Sequence, residues 1–283
     1  MAKKQNKNSK KLKKLGGLTG DKATLFLTLC AKAKDYHSEH SILHDEKAAK
    51  IVGRITADLS KFQGKNDLAV IVKSKQYDEW TKEFIENHEN ALVVHLGCGL
   101  DSRFHRVSPP SSVIWLDIDF PDVIRYRRRI YVEIPIEYRM YGASITDARW
   151  FQEIPFDRPT LIIAEGVLEY LDVEDVKKLF TRLTDYFYQG QLIFDVISPS
   201  AMKNRKKLNE EIGASHKWAV GNISEIDELN PKLKRITCIS VFQSKYFNPS
   251  GFVKQLISII LSLIPSYRNT MRLLRYEFKD ENV

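Results

Sequence analysis

Three cysteines in 283 residues set the first limits. Cys30, Cys98 and Cys238 lie far apart and are odd in number. Neither a disulfide framework nor a metal-ligand spacing follows, and a reducing cytoplasm is the expected compartment. Long apolar runs are missing too. The greasiest stretch, residues 256–264, is about half of the ~20 residues that a membrane span needs, and Pro265 ends it. It reads as a buried helix. Acids are absent from residues 1–14, which hold seven lysines; without these the net charge of +8 falls to +1. The body of the chain is therefore near neutral. The excess charge belongs to a tail, residues 1–18, whose composition reads as disordered. That tail lacks the apolar core of a signal peptide and the amphipathic pattern of a transit peptide. No aromatics interleave its lysines, so no specific nucleic-acid binding is expected; weak attachment to anionic surfaces is the most it offers. Two glycine signatures are also lacking. Ser102 stands where a dinucleotide fingerprint has its third glycine, and no Gly-Lys pair follows Gly97 as a P-loop requires.

What is present is a nucleotide-binding pattern without phosphate-cradling parts. An apolar run (Leu92, Val93, Val94, Leu96) feeds directly into Gly97-Cys98-Gly99. About 20 residues on, a second run (Val113 to Leu116) ends in Asp117 and Asp119, the spacing at which nucleotide-binding folds place a carboxylate for ribose hydroxyls. Alternation puts both acids on one strand face, so either could reach a ribose. A short G-x-G turn lets backbone come close to a ligand. That suits S-adenosylmethionine (SAM), which carries a ribose, an adenine and a charged amino-acid tail but no phosphates. On spacing alone, a tight turn that binds nothing remains the alternative.

A hydrophobic content of 43% and a charged content of 28% fit one α/β domain with a full core. Helices are expected over 23–35, 46–63 and 67–88, from about 101, from Pro121, over 173–188 behind an Asp172 cap, and over 252–263. Strands are expected at 91–96, 113–118, 140–143, 160–164, 191–197, 236–243 and 271–278. Strands alternating with helices imply a doubly wound, parallel sheet. His37, His40 and His44 have helical spacing but no completing ligand; they read as loop or surface residues, and no metal is expected.

The wording of the motifs goes further than their spacing. Leu96-Gly97-Cys98-Gly99-Leu100-Asp101-Ser102-Arg103-Phe104 is followed by Trp115-Leu116-Asp117-Ile118-Asp119-Phe120-Pro121 and Arg127-Arg128. Then come Ala164-Glu165-Gly166-Val167-Leu168-Glu169-Tyr170-Leu171 and Leu192-Ile193-Phe194-Asp195, with Lys73-Ser74-Lys75 before Tyr77-Asp78 upstream. Together these resemble the leucine carboxyl methyltransferase superfamily over roughly residues 20–280. Within it they resemble the microbial O-methyltransferase branch similar to the tetracenomycin polyketide synthesis enzyme.

The resemblance implies a class I SAM-dependent methyltransferase fold: a mostly parallel seven-stranded sheet whose final strand inserts antiparallel. It implies a single domain, 19–283, with a helical cap at about 19–90, a sheet core at about 91–283 and a lid insert at about 198–234. SAM would be the cofactor and S-adenosylhomocysteine the product. The acceptor would be a hydroxyl or carboxylate of a small molecule, polyketide-like or another metabolite. Gly97, Cys98 and Gly99 would pass the methionine moiety, with the Cys98 thiol filling space because neither neighbour is a base. Asp119, then Asp117, would hold the ribose, and Ser144 and Ile145 would flank the adenine. Glu165 would receive the ammonium or a neighbouring amide. Lys73 stands where the family has an arginine for the SAM carboxylate, keeping the charge without the bidentate fork. Glu169 and Tyr170 would line the acceptor pocket, and an acid at 169 favours a hydroxyl acceptor over a carboxylate. His95 replaces a usual acid and reads as at least as much structural as catalytic. Arg103 is expected to pair with acids such as Asp101. Two other readings stay open: methyl-esterification of a protein C-terminal carboxylate, and a SAM-binding module without catalytic activity. The sequence carries no signature of oligomeric state.

Overall fold

The computed structural model describes residues 22, 24–55, 67–132, 134–204, 215–247, 260 and 263–279. The basic tail, most of the expected helix 252–263, residues 56–63 and part of the lid insert (205–214) lie outside them.

The apolar runs become the centre of the sheet. β1 (Leu92–Leu96) and β4 (Thr160–Ala164) are buried along their whole length, as strands covered on both faces must be. The remaining strands are β2 (Ile114–Asp119), β3 (Tyr138–Gly142), β5 (Gln189–Ile197), β6 (Lys234–Ser240) and β7 (Met271–Lys279). Their order is β3-β2-β1-β4-β5-β7-β6. The first five pair parallel, while β7 runs antiparallel to both β5 and β6. Strand period sorts the core into two layers. Val93, Trp115, Leu161 and Ile193 face one side with Phe26, Val72 and Trp80. Leu92, Val94, Leu116 and Ile162 face the other with Leu179 and Phe180.

Among the described residues, three helices precede the sheet: α1 (Thr24–Tyr36), α2 (Glu46–Arg54) and α3 (Asp67–Asn87). Asp45 caps α2 by accepting from the Ala48 amide at 2.9 Å. After β1 comes α4 (Arg103–Val107), which ends where Ser108 turns left-handed and Pro109-Pro110 cannot continue a helix. α5 (Pro121–Ile130) starts on Pro121 and ends on Arg127-Arg128-Arg129, which suits the helix dipole. α6 (Val173–Tyr186) has Asp172 at its N-cap position, but that carboxylate pairs with Lys217 at 2.9 Å rather than with a helix amide. His37, His40 and His44 are exposed. No described helix is long and apolar enough to cross a membrane.

In chain order the sheet grows outward from β1 to β3, then jumps back across β1 to β4. That reversal leaves a crevice beyond the carboxyl ends of β1 and β4, where open α/β sheets bind their ligands.

Candidate functional site

The crevice begins at the glycine turn. Gly97 and Gly99 adopt φ of +60° and +51°, a region that penalises any side chain. The turn is also covered. A Cβ on Gly97 would stand 2.5 Å from Val167, and one on Gly99 would stand 2.6 Å from Leu25 of α1. Gly99 is pinned from both sides: its amide donates to Asp119 Oδ2 at 2.7 Å, and its carbonyl accepts from Arg127 at 2.9 Å. Cys98 is buried, and burial pushes its thiol well above the usual range. It is a filler of the turn.

The two strand-end acids have different surroundings. Asp117 accepts from Arg127, the Trp115 indole and the Tyr138 hydroxyl, with His95 Nδ1 3.5 Å away. Burial alone would raise its pKa, yet Arg127 and His95 hold it at about 2. Among the described residues Asp119 accepts only from backbone amides, those of Gly99 and of Phe120 at 2.7 Å, and burial raises its pKa. Just past β3, the Ser144 hydroxyl pairs with Thr146, and the buried Ile145 gives its carbonyl to Trp150.

Across the crevice, α3 turns four positions, two adjacent pairs one helical turn apart, toward the strand ends. Lys73 donates to Asp195, at the end of β5, over 2.9 Å and stands 3.9 Å from Glu165. Ser74 donates to Glu165 at 2.9 Å. The Tyr77 hydroxyl is buried with no hydrogen-bond partner among the described residues. Asp78 receives Arg103 Nε at 2.7 Å. Arg103, fully buried, also binds Glu165 and reaches Asp101 at 3.3 Å. Burial would raise Glu165, but Arg103 and Lys73 outweigh it and hold the carboxyl at about 2. Asp195 accepts the Gly166 amide as well, at 2.6 Å. A second ring, Arg106 with Asp45, Asp78 and Asp101, braces α4 against the cap. Lys32 of α1 joins it through Asp101 at 2.7 Å.

Seven carboxylates (Asp45, Asp78, Asp101, Asp117, Asp119, Glu165, Asp195) thus share the cluster with five Lys and Arg side chains (Lys32, Lys73, Arg103, Arg106, Arg127). Negative charge is in excess there. Glu169, one turn past Glu165, sits beside His216, with Nε2 to Oε1 at 3.5 Å, and Tyr170 packs edge-on against the same imidazole.

The structure thus brings Lys73, Gly97, Cys98, Gly99, Asp117, Asp119 and Glu165 together, with Glu169 and Tyr170 beside them. Ser144 and Ile145 follow the end of β3, on the far side of β2. Sequence reasoning missed Asp195, although an acid ending an apolar strand is the signal that exposed Asp119. It gave no role to Tyr77, which it placed only within the upstream motif, and it missed His216, which carries no local signal. A cavity of about 670 Å³ lies at the opposite, amino end of the sheet, between Phe84, His88, Gln191, Lys234 and Lys279. It is remote from this cluster.

A glycine turn beneath a strand-end carboxylate, at the reversal point of a β3-β2-β1-β4-β5-β7-β6 sheet, defines a class I methyltransferase. A crystal structure from Thermobifida fusca shares this fold with a TM-score of 0.62 at 14% identity, over 92% of this chain and 95% of that one. The chain belongs to the leucine carboxyl methyltransferase family, whose profile matches residues 24–184. It is 34% identical to the tetracenomycin polyketide synthesis O-methyltransferase TcmP of Streptomyces glaucescens, over 92% of this chain and 98% of that protein. It is 31% identical to the S-adenosyl-L-methionine-dependent methyltransferase dpfgK of Gibberella zeae, over 77% and 81% of the two chains. The protein is a SAM-dependent methyltransferase.

Proposed function

We propose that the chain transfers a methyl group from SAM to an oxygen of a small molecule, a hydroxyl or a carboxylate, and releases S-adenosylhomocysteine. Asp119 carries this reading. It is a buried carboxylate at the reversal point of the sheet, presented by two backbone amides and, among the described residues, hydrogen-bonded to no cationic side chain. Its remaining lone pairs suit the two ribose hydroxyls. Asp117 spends its own on Arg127, Trp115 and Tyr138, so it supports the site from behind.

Two further observations fit the cofactor. The surplus of buried carboxylates complements a ligand carrying a sulfonium and an ammonium. The unpartnered Tyr77 hydroxyl lies among Asp195, Glu165 and Arg103, and a buried donor without a partner costs roughly 1–3 kcal/mol until something pairs with it. When bound, SAM supplies an electrophilic methyl group. The chain's own work is to orient and to exclude water. Gly97 and Gly99 bring backbone against the ligand, with Cys98 filling the turn between them. Glu165 and Asp195 take the ammonium, Lys73 stands near the SAM carboxylate, and Ser144 and Ile145 flank the adenine. Glu169 and Tyr170 border the acceptor.

In this reading residues 19–283 work as one domain. Helices α1 to α3 form its cap, and the insert at about 198–234 forms its lid. The cytoplasm is the proposed compartment, in keeping with cysteines that stand unpaired. Calorimetry with SAM and S-adenosylhomocysteine tests the first step, and no heat from either would sink the proposal. A labelled-methyl screen over phenols, small carboxylates and peptide C-termini then separates the acceptor classes.

A further inference from the structure

Buried polar groups are almost always paired, so an unpaired one inside a polar cluster raises the question of its partner. α3 carries such a group.

Tyr77 lies one helical turn after Lys73, on the same face of α3. The residue is fully buried, and its hydroxyl has no hydrogen-bond partner among the described residues. Trp80 stacks on its ring with centroids 5.6 Å apart, and the Arg103 guanidinium stands 5.7 Å from the ring centroid. The polar groups around it are already engaged. Ser74 donates to Glu165 at 2.9 Å, and Asp78 accepts from Arg103 at 2.7 Å and from Arg106 at 2.6 Å. Lys32, Lys73, Arg103, Arg106 and Arg127 each face at least one carboxylate. The Tyr77 O–H is therefore an uncommitted donor within a cluster of committed ones.

Burial raises the pKa of this phenol, and the neighbouring Asp195 and Glu165 raise it further. It keeps its proton at neutral pH and can act as a donor. An anionic group entering the cluster meets carboxylates on several sides. Lys73 itself faces two of them, Asp195 at 2.9 Å and Glu165 at 3.9 Å, and its ammonium is a point charge rather than a fork. A carboxylate ligand has two oxygens to satisfy, so it calls for a second donor beside that ammonium.

Resting on the cofactor reading above, we propose that Tyr77 is a SAM-binding residue whose O–H donates to the carboxylate of the amino-acid tail, completing with Lys73 a two-donor clamp on that group. The clamp makes the site selective for adenosine thioethers and sulfonium ions that keep the carboxylate. It also ties the hydroxyl to the bound state. Tyr77 is unsatisfied in the free chain and satisfied in the complex, so removing its oxygen acts on the two states in opposite senses.

Tyr77→Phe in the full chain tests this. Urea denaturation of the free variant should give a midpoint equal to or above that of the unmodified protein. Calorimetry should show S-adenosylhomocysteine binding weakened at least about tenfold. Decarboxylated S-adenosylhomocysteine, which keeps the adenosine, the sulfur and the ammonium, should bind the variant and the unmodified protein within about twofold of one another. A lowered urea midpoint means that the hydroxyl is already paired in the free chain, and it overturns the proposal. So does an S-adenosylhomocysteine affinity within about twofold of the unmodified protein. An equal loss for both ligands overturns it too, since the hydroxyl would then meet another part of the ligand. In each of these cases the unmodified chain still binds S-adenosylhomocysteine. If it does not, the cofactor reading itself has failed and takes the clamp with it.

Discussion

Lys73 on α3 and Asp195 at the end of β5 are 122 residues apart in sequence and 2.9 Å apart in space. With Glu165 at 3.9 Å, the Lys73 ammonium faces two buried carboxylates from two neighbouring strands. Burial lowers its pKa, but those anions outweigh the effect and raise it. Lys73→Met leaves Asp195 buried without its cationic partner, while Glu165 keeps Arg103, so stability should fall by about 3–5 kcal/mol. Lys73→Met combined with Asp195→Asn should recover part of that loss. Urea denaturation of the three proteins measures it.

Asp119 and Asp117 should separate under mutation. Asp119→Ala should weaken S-adenosylhomocysteine binding at least about tenfold, in keeping with the ~1.5–3 kcal/mol of a hydrogen bond to a charged group. Asp117→Ala should chiefly cost stability, because it leaves Arg127 buried without its anion. Calorimetry and thermal melts on both variants check this. Unchanged affinity in Asp119→Ala would remove the ribose assignment.

Gly99→Ala meets two obstacles, a φ of +51° and the Leu25 methyl at 2.6 Å. A loss of about 1–3 kcal/mol is expected. Adding Leu25→Ala should relieve the steric part and leave the backbone part. A double-mutant cycle by chemical denaturation separates them, and full additivity would show that α1 does not rest on the turn in solution.

Acid should destabilise the protein between about pH 4.5 and about pH 2. Glu165 and Asp117 are both held at about 2 in the folded chain, below the ordinary 4.5 and 3.8. A depressed carboxylate contributes its full stability above the unfolded value and loses it as pH falls through the folded one. Asp119 acts in the opposite sense, since its pKa is raised. The net slope therefore follows the depressed pair. Denaturation midpoints across pH 2–7 measure it, and Glu165→Gln should flatten the slope.

Much of this architecture was legible in the sequence, where the physics is local. β1, β2, β4 and β5 stand where the apolar runs place them, because strands buried on both faces need no alternation. Asp119 was legible because an acid closing such a run has only the crevice to occupy. Partnership was not legible. That Lys73 meets Asp195 depends on α3 crossing the strand ends, which no window of sequence reports. That His216 meets Glu169 depends on backbone bonds between an insert and a turn nearly 50 residues earlier. The start of α4 was legible to within about two residues, while its end after five residues is set by the Ser108 turn and the two prolines behind it. The expected helix 252–263 falls mostly outside the described residues.

The placement of β7 between β5 and β6 has a consequence for biosynthesis. β6 pairs with β7 alone, and β5 has its second neighbour in β7 alone. Until residues 271–279 leave the ribosome, β5 presents an unsatisfied edge and β6 has no place to dock. The sheet cannot zip in order of synthesis. β7 must slide between two strands made before it, so closing the sheet waits on pairings far apart in sequence. A nascent chain stalled before that strand offers the buried edge of β5 to any other extended segment, and cellular quality control would see a protein complete at the cofactor turn but open at its side.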